Sequence, residues 1–213
     1  MLRFLSYEQV DQYPNLFGSM FEDRAIQFKD RLNWPVTITE NGWETDQYDN
    51  PNAVYAIWEM PNGTHGASMR MMPTNAPVMI NEIFADVVGS KISDAKIWES
   101  TRFCISPKST DNQKFLSTMI MLAGAEFGLQ NNLNSAVAIF DIRVFAIYRS
   151  IGWKPEILNM GSCPSGKIWA GKWEFSKQIR DQLCKRVGID SKLPSLWYAM
   201  SQKGAAQIDK IAA

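Results

Sequence analysis

A single histidine, three scattered cysteines and a balance of 22 basic against 22 acidic residues leave this 213-residue chain few ready-made routes to function. His65 lies in Pro61-Asn62-Gly63-Thr64-His65-Gly66, a turn by its residues, which predicts a hairpin-loop side chain. Nucleophilic triads built on histidine are thereby set aside, and acid–base work falls to carboxylates, water or the substrate itself. Cys104, Cys163 and Cys184 are odd in number, far apart and form no Cys-x-x-Cys pair. That pattern argues against a disulfide framework or a zinc site and predicts a reduced, cytoplasmic chain with no metal. Balanced charge gives no global electrostatic case for nucleic acid or an anionic membrane, so any basic patch is local. No apolar run approaches membrane-spanning length, and the apolar part of Met1-Leu2-Arg3-Phe4-Leu5-Ser6 is too short for a signal peptide, so no membrane insertion is expected. Without repeats, low-complexity tracts or Pro/Gly-rich linkers, residues 1–213 are expected to form a single domain.

What the chain does have is aromatic bulk, eight Trp and eleven Phe, residues that dominate cores and ligand pockets. Its central stretch is Lys96-Ile97-Trp98-Glu99-Ser100-Thr101-Arg102-Phe103-Cys104-Ile105. Strand alternation puts Ile97, Glu99, Thr101 and Phe103 on one face and Trp98, Ser100, Arg102 and Cys104 on the other, so both faces are largely apolar. This suits a central strand covered on both sides, where an unpaired charge is expensive. Glu99 and Arg102 point to opposite faces of a regular strand, whereas a β-bulge between them would bring them to one side, and bulges are over-represented near active sites. A structural ion pair closing one end of the sheet is the competing reading.

Periodicity orders the rest. Leu16 to Leu32 reads as an amphipathic helix with Phe17, Phe21, Arg24, Phe28 and Leu32 on one stripe. Asn33-Trp34-Pro35 ends it. Residues 40–52 form a polar loop given negative charge by Glu44, Asp46 and Asp49. Ala53 to Trp58 and Ala67 to Met72 flank Asn62-Gly63 as a β-hairpin. A helical or irregular segment from Met79 to Val88 carries Phe84. After the central strand come a helix from Asp111 to Gln130, a strand from Leu133 to Asp141 and a helix from Val144 to Ser150. Strands from Trp153 to Leu158 and Ile168 to Phe175 follow, then a helix that Ser176 caps and Gly188 ends. The alternation implies an α/β fold, a mixed sheet with helices on both faces.

Taken along the chain, Arg24-x-x-x-Phe28-x-x-x-x-x-Trp34, Asp46-x-x-Asp49, Arg70, Phe84 and Glu99-x-x-Arg102 resemble the pattern of the acyl-homoserine-lactone synthases, the LuxI-type autoinducer synthases. Local wording agrees in Phe28-Lys29-Asp30-Arg31-Leu32-Asn33-Trp34, Asp46-Gln47-Tyr48-Asp49, Arg70-Met71-Met72-Pro73-Thr74 and Trp98-Glu99-Ser100-Thr101-Arg102-Phe103. Nine positions in register over about eighty residues make a specific match. The resemblance implies a three-layer α/β/α sandwich related to the GNAT acyltransferases, with two central strands splayed to admit a pantetheine arm. It implies a reaction in which the amine of S-adenosylmethionine attacks an acyl thioester and its carboxylate then closes on the γ-carbon, expelling methylthioadenosine. No cofactor is implied, since S-adenosylmethionine is a substrate.

Within that resemblance Glu99 is the expected base, acting through a water, because an α-amine of pKa about 8 must lose a proton near neutrality. Asp46 and Asp49 are expected to face the cationic substrate, with Arg70 beside them. Trp34 and Phe28 would give cation–π contact, Arg24 or Arg102 would hold the carboxylate, and Phe84 and Phe103 would complete the pocket. Scaffold pairing of Arg24, Arg70 and Arg102 with Asp46, Asp49 and Glu99 stays open beside these roles. A backbone N–H freed at a bulge near Arg102 and Phe103 would serve the oxyanion. Met119, Leu122, Ala138, Phe140 and Ile147 are the expected acyl-slot walls, and alanine at 138 cannot donate to a 3-oxo group, which favours an unsubstituted or 3-hydroxy chain. Lys108, Lys114, Arg143, Arg149 and Lys154 could receive an acidic carrier protein. A generic acetyl-CoA N-acyltransferase would want a Gly-rich turn after the central strand. Ile105-Ser106-Pro107-Lys108 stands there instead, favouring an acyl carrier protein over acyl-CoA. A ligand-binding protein without activity would lack the acidic positions that are present here.

Overall fold

The computed structural model describes residues 1–209, and side chains through residue 203. In chain order it contains β1 (Leu2–Ser6), α1 (Pro14–Ala25), β2 (Val54–Glu59), β3 (His65–Pro73), two single turns α2 (Met79–Glu82) and α3 (Ala85–Val88), and β4 (Ile97–Ile105). The second half adds α4 (Gln113–Gln130), β5 (Ser135–Asp141), α5 (Phe145–Ile151), β6 (Glu156–Cys163), β7 (Gly166–Glu174), α6 (Lys177–Val187) and α7 (Leu193–Asp209). The strands form one sheet of order β1-β2-β3-β4-β5-β7-β6, antiparallel except between β4 and β5.

Strand alternation sorts the interior into two cores, which makes the fold the expected three-layer α/β/α sandwich. Phe4, Ala56, Met69, Met71, Ala138 and Phe140 face the layer that holds α4. Leu5, Tyr55, Ile57, Met72 and Val137 face α1. Large side chains withdrawn from water on both faces drive this arrangement. Proline at the first turn of α1 lacks only an N–H that would find no acceptor within the helix there. Asn112 caps α4 by accepting from the amides of Lys114 and Phe115, and Ser176 caps α6 by accepting from Ile179, as its sequence position predicts.

Two departures from sequence expectation shape the molecule. The helix expected to run to Leu32 widens at Ile26–Arg31 into a π-helix, a form that concentrates at functional sites. Five residues at the start form β1, pairing Leu2 with Trp58 through Ser6 with Val54, although so short a terminal segment carries no readable alternation. The β6 strand also starts later and runs longer than expected, from Glu156 to Cys163.

The feature that positions the site is a split in the sheet. Parallel pairing joins β4 to β5 only at Ile97 to Glu99 against Ser135 to Val137. Past those rungs the strands diverge. On the other side of β4 the register slips between Ser68 and Arg70, so that Arg102 and Phe103 fall outside the paired positions, and Arg102 has φ of 53°. Pairing is regular from Glu99 to Thr101, so the bulge falls at Arg102 and Phe103, where a freed amide was anticipated, rather than between Glu99 and Arg102.

Candidate active site

A cavity of about 740 Å³ runs through the split. From the α1 face its wall takes Phe28, Trp34, Asp46, Met79, Phe84, Glu99, Thr101 and Arg102. From the α4 face it takes Met69, Met121, Gly124, Ala138, Phe140, Ile147 and Tyr148. One end is therefore polar and charged, the other apolar.

The polar end rests on a closed ion network. Arg24 donates to Glu44 at 2.6 Å and forks onto Asp49 at 3.0 and 2.9 Å. Arg70 forks onto Asp46 at 2.6 and 3.1 Å, lies 2.9 Å from Asp49 and donates to Thr101 Oγ1 at 3.1 Å. Arg102 reaches Glu44 at 2.8 Å and Asp46 at 2.7 Å. Tyr55 donates to Asp49 at 2.7 Å. Burial opposes charge on Asp49, yet Arg24 and Arg70 beside it hold its carboxyl well below the usual carboxylate range. Asp46 is lowered against burial in the same way by Arg70 and Arg102. Removing such charges from water is repaid only by this degree of mutual bonding.

Placement divides the expected site residues. Arg102 and Asp46 reach the cavity wall, whereas Arg24, Asp49 and Arg70 are buried behind it with their charges met by protein partners. Direct contact of Arg24 or Asp49 with a substrate, expected from sequence, is thus corrected to a supporting position, and Arg70, expected beside them, stands behind the wall as well. Glu44 is the residue that sequence reasoning passed over. Within a polar turn it reads as a solvated acid, but it is fully buried and ties Arg24 to Arg102.

Glu99 stands apart from the network and makes no ion pair with Arg102, so a structural pair between those two is not what orders the strand. Its carboxylate accepts from the amides of Met79 at 3.0 Å and Ile80 at 2.6 Å. Burial raises its pKa to about 7 against the opposing effect of those two amides. A carboxylate tuned there changes protonation state at neutral pH. On the same wall Phe28 and Trp34 stack with centroids 5.2 Å apart and planes 4° from parallel, and the Arg102 guanidinium lies 5.5 Å from the Phe28 ring. The Trp34 indole N–H is buried without a partner among the described residues. Among the described residues, Arg102 Nη1 has Met79 Sδ, at 4.0 Å, as its hydrogen-bond contact.

At the apolar end Ala138, Phe140 and Ile147 line the slot as expected. Met119 and Leu122 do not; they are fully buried in the α4 core, and Met121 and Gly124 face the slot in their place. The reason is that α4 is buried on every side from Leu116 to Gly128, so its sequence has no polar stripe to fix the helical phase. Phe84 and Phe103 reach the wall. Of the five cations considered for carrier docking only Arg143 borders the cavity, and it forks onto Asp141 at 2.8 and 2.5 Å. Lys108, 3.2 Å from Glu22, with Lys114, Arg149 and Lys154, is exposed away from the wall.

His65 also differs from expectation. It begins β3 fully enclosed, with Nδ1 2.8 Å from Asp23 and Nε2 2.9 Å from Ser68. Burial lowers its pKa despite Asp23. The trio joins α1 to β3 away from the cavity wall. Among the described residues no His/Cys/Asp/Glu group is placed to hold a metal, and no helix is long and apolar enough to cross a membrane.

A family model described as autoinducer synthase matches residues 8–183. This chain belongs to the autoinducer synthase family. As a member it is an acyltransferase. An acyl-homoserine-lactone synthase of Rhizobium etli is 31% identical over 204 residues, covering 92% of this chain and 96% of that protein. Another, from Agrobacterium fabrum, is 29% identical over 188 residues, covering 84% and 89%. Among solved structures, the CoA-dependent acyl-homoserine lactone synthase BjaI, with SAM and isopentyl-CoA, superposes with a TM-score of 0.79 at 24% identity, covering 89% of this chain and 90% of that one. The synthase LasI gives 0.75 at 22% identity over 86% and 93%. These likenesses show the shared fold, a GNAT-like mixed sheet with helices on both faces.

Proposed function

We propose that this family member acylates the amine of S-adenosylmethionine from an acyl thioester and closes the product to an acyl-homoserine lactone, releasing methylthioadenosine. The observation that carries the reading is the cavity crossing the sheet, with a tunable carboxylate, a guanidinium and stacked aromatics at one mouth and an apolar slot at the other. Glu99, at a pKa of about 7, takes the proton of the attacking amine through a water. The Phe28–Trp34 stack receives the sulfonium by cation–π attraction, and Asp46 adds negative charge. Arg102 Nη1 and the unpartnered Trp34 N–H are the donors for the substrate carboxylate. A backbone amide of the bulge serves the thioester oxyanion. Lactonisation joins two ends of one molecule and needs mainly the right curl of that chain, which the pocket imposes. No cofactor is required.

The favoured donor is an acyl carrier protein thioester, because the turn after β4, Ile105-Ser106-Pro107-Lys108, lacks the glycines that cradle a pyrophosphate. Acyl-CoA is the second reading, supported by the likeness to the CoA-dependent BjaI and by Arg143 being the sole expected docking cation at the cavity rim. Purified protein incubated with S-adenosylmethionine and matched carrier and CoA thioesters should release methylthioadenosine with the carrier thioester at the higher kcat/KM. Thiol release without methylthioadenosine would identify a simple acyltransferase, and neither product a binding protein.

A further inference from the structure

Between β3 and β4 the chain leaves the sheet as an excursion that brings the α2 turn to Glu99, and side-chain hydrogen bonds hold the excursion in shape. Thr74, fully buried, closes its neck: the hydroxyl donates to the Ile97 carbonyl at 2.8 Å and accepts from the Asp94 amide at 3.0 Å. Further out the Asn81 carboxamide spans it, donating to the Ile92 carbonyl at 2.6 Å and accepting from the Ile92 amide at 2.9 Å. A carboxamide offers donor and acceptor side by side, which is what both backbone groups of one residue require. A second tie reaches α2 from the loop 40–52, where the buried Tyr48 donates its hydroxyl to Glu82 at 2.8 Å.

The two ties grip consecutive residues, Asn81 and Glu82, of the four-residue turn whose first two amides, Met79 and Ile80, donate to the Glu99 carboxylate. A single turn is too short to hold its own direction. Where those amides point is therefore decided by what the turn is tied to. Each Glu99 oxygen takes one amide, which leaves a further lone pair for water in the cavity. Other charges bear on Glu99 from the elements packed round it: Arg70 on β3 favours its anion, and Asp46 in the loop 40–52 opposes it. Arg102, on its own strand, is paired with Glu44 and Asp46.

We propose that Asn81 and Tyr48 are positioning residues for the base: through their grip on the α2 turn they keep its two amides on the Glu99 carboxylate, which holds that carboxylate in its reactive, anionic form at the cavity wall. Neither side chain has to touch the reacting atoms for this. Loosening either tie lets the amides drift, and the anion loses support while burial still opposes it, so Glu99 holds its proton to higher pH. The inference rests on the role given to Glu99 in the synthase reading above and adds what sets the pH at which that role begins.

The titration of Glu99 can be followed without turnover, by carbon NMR of protein labelled at the glutamate side-chain carboxyls, with its resonance identified by loss in Glu99→Gln. In wild type the midpoint should lie at about 7. In Asn81→Ala, and in Tyr48→Phe, which keeps the ring that lies 5.7 Å from the Arg70 guanidinium, it should rise by about half a unit to one unit, the scale of a weakened hydrogen bond to a charged group. Methylthioadenosine release at about pH 7 should fall about twofold to fivefold in each variant and return to the wild-type rate by about pH 9, where Glu99 is ionised in all three. Glu82→Gln removes a charge but keeps an acceptor for Tyr48, and should leave the midpoint at or below that of wild type. A rate loss of equal size at every pH, with the midpoint unmoved, is what a merely structural contact gives and would overturn the proposal, as would a midpoint that falls in Asn81→Ala or Tyr48→Phe. No release by wild type from any thioester, with midpoints still raised in the variants, sinks the synthase reading and leaves the positioning role standing.

Discussion

The two faces of the sheet meet the cavity in opposite ways. On the α1 face each arginine in the network has carboxylate partners inside the protein, and that surface is set before any ligand arrives. On the α4 face the wall is largely apolar. The charged half is rigid because a buried ion tolerates no slack. The apolar half is tolerant because dispersion contacts are small and many, so that one face can present a fixed reacting end while the other admits chains of differing shape.

Breaking the charged half should have the larger consequences. Glu99→Gln should lower kcat by about 10²- to 10⁴-fold with KM for S-adenosylmethionine nearly kept, measured by methylthioadenosine release. In wild type the rate should climb as pH rises through about 7, where Glu99 loses its proton, and that limb should vanish in the variant. Arg24→Met leaves Glu44 to Arg102 alone and Asp49 to Arg70 and Tyr55, and by leaving buried charge uncompensated should cost about 3–5 kcal/mol in denaturant unfolding. The sign with pH follows from the lowered carboxyls of Asp46 and Asp49. Their stabilisation is present above the unfolded carboxylate pKa of about 4 and is lost as pH falls through their lower folded values.

Paired variants on α4 sharpen the contrast. Met119→Ala should cost about 2–5 kcal/mol of stability with donor preference unchanged, because it opens a cavity in the core. Met121→Ala should cost less and move the preferred chain toward greater length, read from a panel of saturated donors. The smallest effect is expected at the surface. Lys114→Ala should change stability by less than about 0.5 kcal/mol and leave KM for a carrier-protein donor unaltered, whereas Arg143→Glu at the rim should raise that KM.

Much of this was readable in the sequence, for identifiable reasons. The strand carrying Glu99 and a bulge near Arg102 were legible because a carboxylate and a guanidinium interrupt an apolar run at a spacing a flat strand cannot reconcile. The caps at Ser176 and Gly188 were legible because their effects are local. Glu44 was not, since a glutamate among turn residues looks the same whether water or two arginines surround it. Met121 was hidden by the all-round apolar character of α4. His65 was misplaced because its neighbours specify a turn, while its burial depends on Asp23, 42 residues away along the chain.

The Glu44 carboxylate reaches helix α1 through Arg24 and strand β4 through Arg102. A single loop side chain thereby couples the integrity of the N-terminal layer to the posture of the bulge. Local fraying of residues 40–52 would disarm the enzyme before the sheet itself melts, so heat inactivation should run ahead of the loss of circular dichroism.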